Sequence, residues 1–267
     1  MATHAAPDFV IIGAMKAATT SLYRWMTSHP QVMAGRRKEQ HFFDSRQGPG
    51  GESFASYRLG FPALPAMWAR RLRTGGPVVT GEATPIYLFH EHVPARMAAV
   101  LPNVRLIVVL REPVDRAFSH HAMVVSRGQE DLPAAEAFAA EDGRLRASRE
   151  LLARGLEPER AYWEHSYLAR GEYADQLERW WQFYPRSQML ITTYEALAED
   201  PWPVYADCLR FIGVDPDAAP RPEFDAHNVG RRDPADPDLI ETLRERFAES
   251  KRRLAELTGI DYGAAGG

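Results

Sequence analysis

Phe9-Val10-Ile11-Ile12-Gly13-Ala14-Met15-Lys16-Ala17-Ala18-Thr19-Thr20-Ser21 is the stretch on which the fold turns. Its first four residues are apolar, three of them β-branched, and the run stops at Gly13, so it reads as a strand buried on both faces. Leu22, Tyr23, Trp25 and Met26 then recur at helical spacing as far as His29-Pro30. A loop of small residues therefore joins a strand to a helix that begins with hydroxyls. Such a junction points backbone N–H groups at whatever sits at the helix N-terminus, where anions bind. Lys16 adds a mobile charge, and Thr19, Thr20 and Ser21 add donors suited to phosphate oxygens. The bland alternative is an ordinary βα turn whose hydroxyls cap the helix, and the lysine argues against it. Walker A order is absent: Lys16 stands three residues ahead of Thr19, with no glycine directly before it, which disfavours ATP hydrolysis.

Working outward, Val104 to Leu110 is a second apolar run, closed by Arg111-Glu112-Pro113. After it Val114, Ala117, Phe118 and His121 share a helical face that Pro113 suits as a first-turn residue. Met189 to Tyr194 is a third strand, preceded by a helix carrying Tyr173, Leu177, Trp180, Trp181 and Tyr184. Val78-Val79-Thr80 adds a further strand, Asp131 to Arg160 reads as helical, Gln47 to Gly51 as a surface loop, and Asp238 to Leu257 as an amphipathic helix. Strands alternating with helices predict an α/β fold, a central parallel sheet flanked by helices. The expectation is one domain over 1–267, with 1–7 and 262–267 as flexible ends.

Composition narrows the class. The chain has 267 residues, 45% hydrophobic and 25% charged, which is globular and excludes disordered, collagenous and coiled-coil chains. A formal net charge of -4 gives no general affinity for nucleic acid. The single cysteine, Cys208, supports no internal disulfide and reads as a buried thiol in a reducing, cytoplasmic setting. Met1 to Pro7 is unlike a secretory leader, and no apolar run nears the ~20 residues that span a bilayer, so no membrane anchor is expected.

Arg111 at a strand end and Ser119 eight residues on form a second candidate anion site. Two such sites at the C-terminal ends of parallel strands suit a nucleotide with phosphates at two positions. Arg231 and Arg232 follow Gly230 in an aperiodic stretch bracketed by Pro222 and Pro234, long enough to form a lid.

The sequence resembles the sulfotransferases that use 3′-phosphoadenosine 5′-phosphosulfate (PAPS), most closely the heparan-sulfate type and its soluble bacterial relatives. The resemblance is carried by Phe9 to Trp25, by Leu106 to Ser119, and by Lys38-Glu39-Gln40-His41-Phe42-Phe43-Asp44. It continues through Gly81-Glu82-Ala83-Thr84-Pro85-Ile86-Tyr87 and Gly171-Glu172-Tyr173, and closes with Gly230-Arg231-Arg232. It implies a P-loop-like, PAPS-binding α/β fold, PAPS as sulfuryl donor and PAP as product. By position it makes Lys16, Ala17, Ala18, Thr19, Thr20 and Ser21 the binders of the 5′-phosphosulfate. Arg111 and Ser119 would hold the 3′-phosphate, and Gly230, Arg231 and Arg232 would close over the nucleotide. Glu39 falls at the catalytic base, with His41 and Asp44 on further active-site positions. Two departures stand out: the family often has glycines where Ala17 and Ala18 stand, and some animal members have a lysine where this chain has Ala83.

The implied reaction transfers a sulfuryl group by in-line displacement to a hydroxyl of a carbohydrate or other small natural product. Positioning and charge stabilisation supply most of the rate, and no metal is required. Lys16 would stabilise charge on the leaving oxygen. Glu39 would act as general base, burial among Phe42 and Phe43 being expected to raise its proton affinity. Without the resemblance Glu39 reads as a solvated charge beside Arg36, Arg37 and Lys38, and His41 either hydrogen-bonds the site or is a satisfied core histidine. N-sulfation of an amine, a magnesium-dependent kinase on a related fold and a catalytically silent nucleotide-binding module are the alternatives. Acceptor identity and oligomeric state are left open.

Overall fold

The structure is a computed structural model that describes residues 3–45, 53–225 and 236–263. Along the chain run β1 (Phe9–Gly13), α1 (Thr19–Ser28), β2 (Val32–Ala34), α2 (Phe54–Arg58), α3 (Leu64–Thr74), β3 (Val79–Ala83), α4 (Val93–Ala98) and β4 (Arg105–Leu110). After these come α5 (Pro113–Ser126), α6 (Ala134–Ala153), α7 (Arg160–Glu164), α8 (Tyr173–Trp181), β5 (Met189–Thr193), α9 (Tyr194–Glu199), α10 (Pro201–Phe211) and α11 (Pro237–Thr258). The described residues pack as two compact units, one from Met1–Leu110 and Trp180–His227, the other from Arg111–Arg179 and Asn228–Gly267.

The first unit holds a five-stranded sheet in the order β2-β3-β1-β4-β5. Every pairing is parallel. The fold class is therefore α/β with a central parallel sheet flanked by helices. β1 lies in the middle, with Phe9, Val10, Ile11 and Ile12 all at 0% exposure, which is why its sequence is an unbroken apolar run. Close approach fixes Gly13: a Cβ there would stand 2.5 Å from Leu88 Cβ. α1 packs on β1, β3 and α10 through Leu22, Tyr23, Trp25 and Met26. Each large apolar side chain so buried contributes about 1.5–3 kcal/mol. The Tyr23 hydroxyl donates to Gly81 O at 3.0 Å, tying α1 to β3.

β3 runs beyond the expected Val78 to Thr80, because Gly81 and the fully buried Glu82 continue it. His4 bridges to Ala63, and Ala5 is buried within the segment expected to be loose. Cys208 is buried on α10, where burial pushes its thiol up. Trp180 is fully buried and its indole N–H donates to Leu88 O at 3.2 Å.

The second unit is helical, built on a core of Val114, Ala117 and Val124 from α5, Ala137 and Phe138 from α6, and Leu243 and Phe247 from α11, with Tyr167 and Leu168. The helical face read from Val114, Ala117, Phe118 and His121 is the one α5 turns to this core. Pro113 sits in its first turn, and the Glu112 carboxylate caps it by accepting from Asp115 N at 2.8 Å. Among the described residues, no helix is long and apolar enough to cross a membrane.

Candidate active site

The loop after β1 is shaped by two residues with left-handed backbone, Lys16 (φ 74) and Ala18 (φ 59). α1 begins at Thr19 with Ala18 in the capping position, so no side chain caps this end. Thr19, Thr20 and Ser21 lie inside the first turn and do not serve as caps, which removes the bland reading of these hydroxyls. The resulting N-terminus presents backbone N–H groups and hydroxyls together, the donor set an anionic ligand needs. Ala17 and Thr19 are buried, while Lys16, Ala18 and Thr20 are half-buried. Ala14 N donates to Val109 O at 2.7 Å, holding the loop to β4.

Residues 38–44 are laid across β3 by backbone bonds to polar groups of the buried strand. Ala83 N donates to Lys38 O at 2.9 Å. Gln40 N is shared between Glu82 Oε2 and Thr84 Oγ1, each at 3.1 Å. Phe42 N donates to the Tyr87 hydroxyl at 2.9 Å, and the Phe43 ring packs on Tyr57 and Tyr87. So fixed, the segment delivers a chain of side chains. Lys38 Nζ stands 2.7 Å from both Thr20 Oγ1 and Glu39 Oε1. His41 Nε2 is 3.2 Å from Glu39 Oε2, and its Nδ1 is 2.6 Å from the buried Asp44 Oδ2. Thr20, Lys38, Glu39, His41 and Asp44 thus form one continuous line from the start of α1.

The electrostatics correct one expectation. Burial does push the Glu39 carboxyl up, but the bonds from His41 and Lys38 outweigh it and hold the group down at about 2. The carboxylate is 40% exposed, not enclosed by Phe42 and Phe43. Asp44, then Glu39, raise His41 to about 10 against the cost of burial, so its imidazolium is the stable form at neutral pH. His41 is also half exposed and has left-handed backbone (φ 53), unlike a core histidine.

Beneath the segment lies Glu82, fully buried and pushed up to about 7 by desolvation although Thr84, Tyr57 and Gln40 N all donate to it. The Tyr57 hydroxyl is 2.5 Å from Oε1 and the Thr84 hydroxyl 2.6 Å from Oε2. Sequence reading missed Lys38 and Glu82, each noted only as part of a motif.

In the second unit, Arg111 precedes the capped start of α5 and Ser119 lies within that helix, both half-buried. The Tyr173 hydroxyl donates to Arg111 O at 2.8 Å. Around them lies buried positive charge that the sequence did not reveal. Arg116 is fully buried and lowered by desolvation and by Arg111, and its guanidinium donates to Tyr167 O. Arg170, lowered to about 9 by burial and then by Arg116, donates to Ser166 and to the carbonyls of Tyr162 and Trp163. Glu141 offsets part of this charge. An anion beside Arg111 meets a favourable field. Gly230, Arg231 and Arg232 lie outside the described residues. Among the described residues, no group of three or more His, Cys, Asp or Glu is placed to hold a metal ion.

Comparison with known proteins gives concordant results. The sulfotransferase domain family matches residues 6–226. The chain is 29% identical to human heparan sulfate glucosamine 3-O-sulfotransferase 6 over 279 residues, covering 96% of this chain and 73% of that protein. It is 28% identical to human heparan sulfate glucosamine 3-O-sulfotransferase 3B1 over 282 residues, 96% of this chain but 64% of that protein, less than two thirds of its length. Among solved structures, a sulfotransferase from Alicyclobacillus acidocaldarius superposes with a TM-score of 0.72 at 31% identity, covering 97% of this chain and 98% of that one.

Proposed function

The chain belongs to the sulfotransferase domain family, and from that premise we propose that it moves a sulfuryl group from PAPS to a hydroxyl of a carbohydrate or other small natural-product acceptor. The observation that carries this reading is the line Thr20–Lys38–Glu39, in which one ammonium, 2.7 Å from each neighbour, joins the start of α1 to a carboxylate. Donor chemistry and acceptor chemistry need to be this close for in-line transfer.

When bound, PAPS supplies an activated sulfuryl group bearing one negative charge. The uncapped N-terminus of α1, with Thr19, Thr20 and Ser21, fits its 5′ end, and Lys16 on the preceding loop stabilises charge on the oxygen that leaves with the phosphate. Arg111 and Ser119 hold the 3′-phosphate, in a field made positive by Arg116 and Arg170. Glu39 accepts the proton of the acceptor hydroxyl as that oxygen bonds to sulfur and the sulfur–oxygen bond to the phosphate breaks, leaving PAP. His41, charged and anchored by Asp44 through Nδ1, orients Glu39 through Nε2.

The heparan sulfate relatives support a glycan acceptor. Ala83 occupies a position where some animal enzymes carry lysine, so acceptor contacts differ from theirs in detail. A reducing, cytoplasmic setting agrees with the one cysteine, buried and unpaired. The test is purified protein with PAPS and a panel of hydroxylated glycans and glycosides, read for PAP release, together with the melting temperature with added PAP. Sulfated product and a raised melting temperature are expected; the absence of both PAP release and a thermal shift would sink the reading.

A further inference from the structure

Lys38 is held through both its backbone and its side chain. Its backbone is pinned by Ala83 N, which donates to Lys38 O at 2.9 Å, and the next peptide is pinned through Gln40 N by Glu82 and Thr84. Its side chain is 23% exposed and ends on two oxygens, Thr20 Oγ1 in the first turn of α1 and Glu39 Oε1 of the next residue, each 2.7 Å away. A fixed backbone with a flexible four-carbon stem lets the ammonium move while the carboxylate beside it stays in place.

We propose that Lys38 is a donor-responsive positioning residue: its ammonium, shared between Thr20 and Glu39, turns to the donor's 5′ anion when that group binds at the start of α1, and in leaving Glu39 makes the carboxylate a stronger base. The inference rests on the donor placement proposed above. An anion accepting from the Thr20 hydroxyl brings its oxygens within about 3 Å of Oγ1, hence within roughly 6 Å of Lys38 Nζ. A 5′ group with more than one charge outcompetes a half-exposed monoanion for that ammonium. Glu39 is faced by two cations, Lys38 and the His41 imidazolium, with Asp44 behind His41 and Glu82 below the segment on β3. Losing Lys38 leaves His41 to hold its orientation while one of two anion-stabilising partners is gone. The carboxylate is thereby held as a weaker base until a donor is present.

The experiment is a 13C NMR titration of glutamate carboxyls, with Glu39 assigned through Glu39→Gln, in wild type and Lys38→Met, each with and without PAP; PAP affinity is measured by calorimetry on the same samples. In wild type PAP is expected to raise the Glu39 titration by about one unit or more. In Lys38→Met, Glu39 titrates higher from the outset, PAP raises it less, and PAP binds about tenfold more weakly. Lys38→Arg, which keeps the charge, is expected to recover much of the affinity. If PAP binds wild type and shifts Glu39 equally in both proteins, or in neither, the coupling is refuted while the donor reading stands. If PAP does not bind wild type, the donor reading falls and this proposal with it.

Discussion

His41 Nδ1 lies 2.6 Å from Asp44 Oδ2, a carboxylate with 4% of its side chain exposed, while His41 itself is 49% exposed and meets Glu39 with its other nitrogen. The buried anion fixes the ring and keeps both nitrogens protonated, so the exposed edge always presents a donor. A lone histidine at this position would titrate through the physiological range and lose that property.

Asp44→Asn removes the largest cause of the raised His41 pKa. His41 is expected to titrate well below about 10, moving toward its ordinary ~6.5. Imidazole C–H shifts followed by NMR would show it, and a titration unchanged from wild type would remove Asp44 as the cause. The sign for stability follows: a raised folded pKa contributes fully below the unfolded value and is lost as pH climbs through about 10. In Asp44→Asn that alkaline loss should move to lower pH.

Glu82 has the opposite character, a carboxylate raised to about 7 by burial. The folded protein therefore holds a proton that the unfolded chain releases near its ordinary value of 4.5. Its contribution to stability is present below that value and declines as pH rises through about 7. Glu82→Gln cannot ionise, and it should flatten this slope, gaining on wild type between pH ~5 and ~8. Denaturant midpoints at those two pH values decide the matter; parallel slopes in the two proteins would exclude Glu82. Glu82→Ala is different, because it strands the buried Tyr57 hydroxyl and weakens the hold on Gln40 N, at a cost of about 1–3 kcal/mol.

Glu39→Gln should retain PAP binding, or bind it somewhat tighter because Lys38 is released, while kcat falls by roughly 10²–10⁴-fold. Calorimetry with PAP and a steady-state assay separate the two effects. Wild-type turnover would take Glu39 out of the mechanism.

The sequence made the apolar strands and the α5 face legible because burial on a sheet or helix leaves a periodic trace. β1, β4 and β5 were found this way within a residue or so. β3 was cut short at Thr80 because Gly81 and Glu82 break the apolar run, although both lie inside the strand. Glu82 survives there only because Tyr57, Thr84 and Gln40, from three separate places in the chain, satisfy it. Lys38 was lost for the same reason: its partner Thr20 is eighteen residues away, and beside Arg36 and Arg37 it looks like one more surface charge. Buried Arg116 and Arg170 depend on carbonyls and a hydroxyl of residues 162–167, which no local pattern announces. β2 has only three residues, Val32 to Ala34, and leaves too little periodicity to read.

The paired alanines of the loop between β1 and α1 give the most local prediction. In place of glycines the chain has Ala17 and Ala18, yet the two differ: Ala18 has left-handed backbone at φ 59 and caps α1, whereas Ala17 is not among the residues of positive φ and its methyl is fully buried. A left-handed conformation costs an alanine about 1–2 kcal/mol, and glycine escapes that cost while giving up roughly 0.5–1 kcal/mol of unfolded-state entropy. Glycine is also the better residue in the N-cap position. Ala18→Gly should therefore stabilise by about 1 kcal/mol, a rise of some 2–4 °C in Tm for a chain of this size. Ala17→Gly gains no relief of strain, loses a buried methyl and adds chain entropy, so it should destabilise by a similar amount. Thermal denaturation of the two variants side by side tests the geometry of the loop directly: opposite signs are expected, and a shift of the same sign in both would contradict the left-handed cap at Ala18.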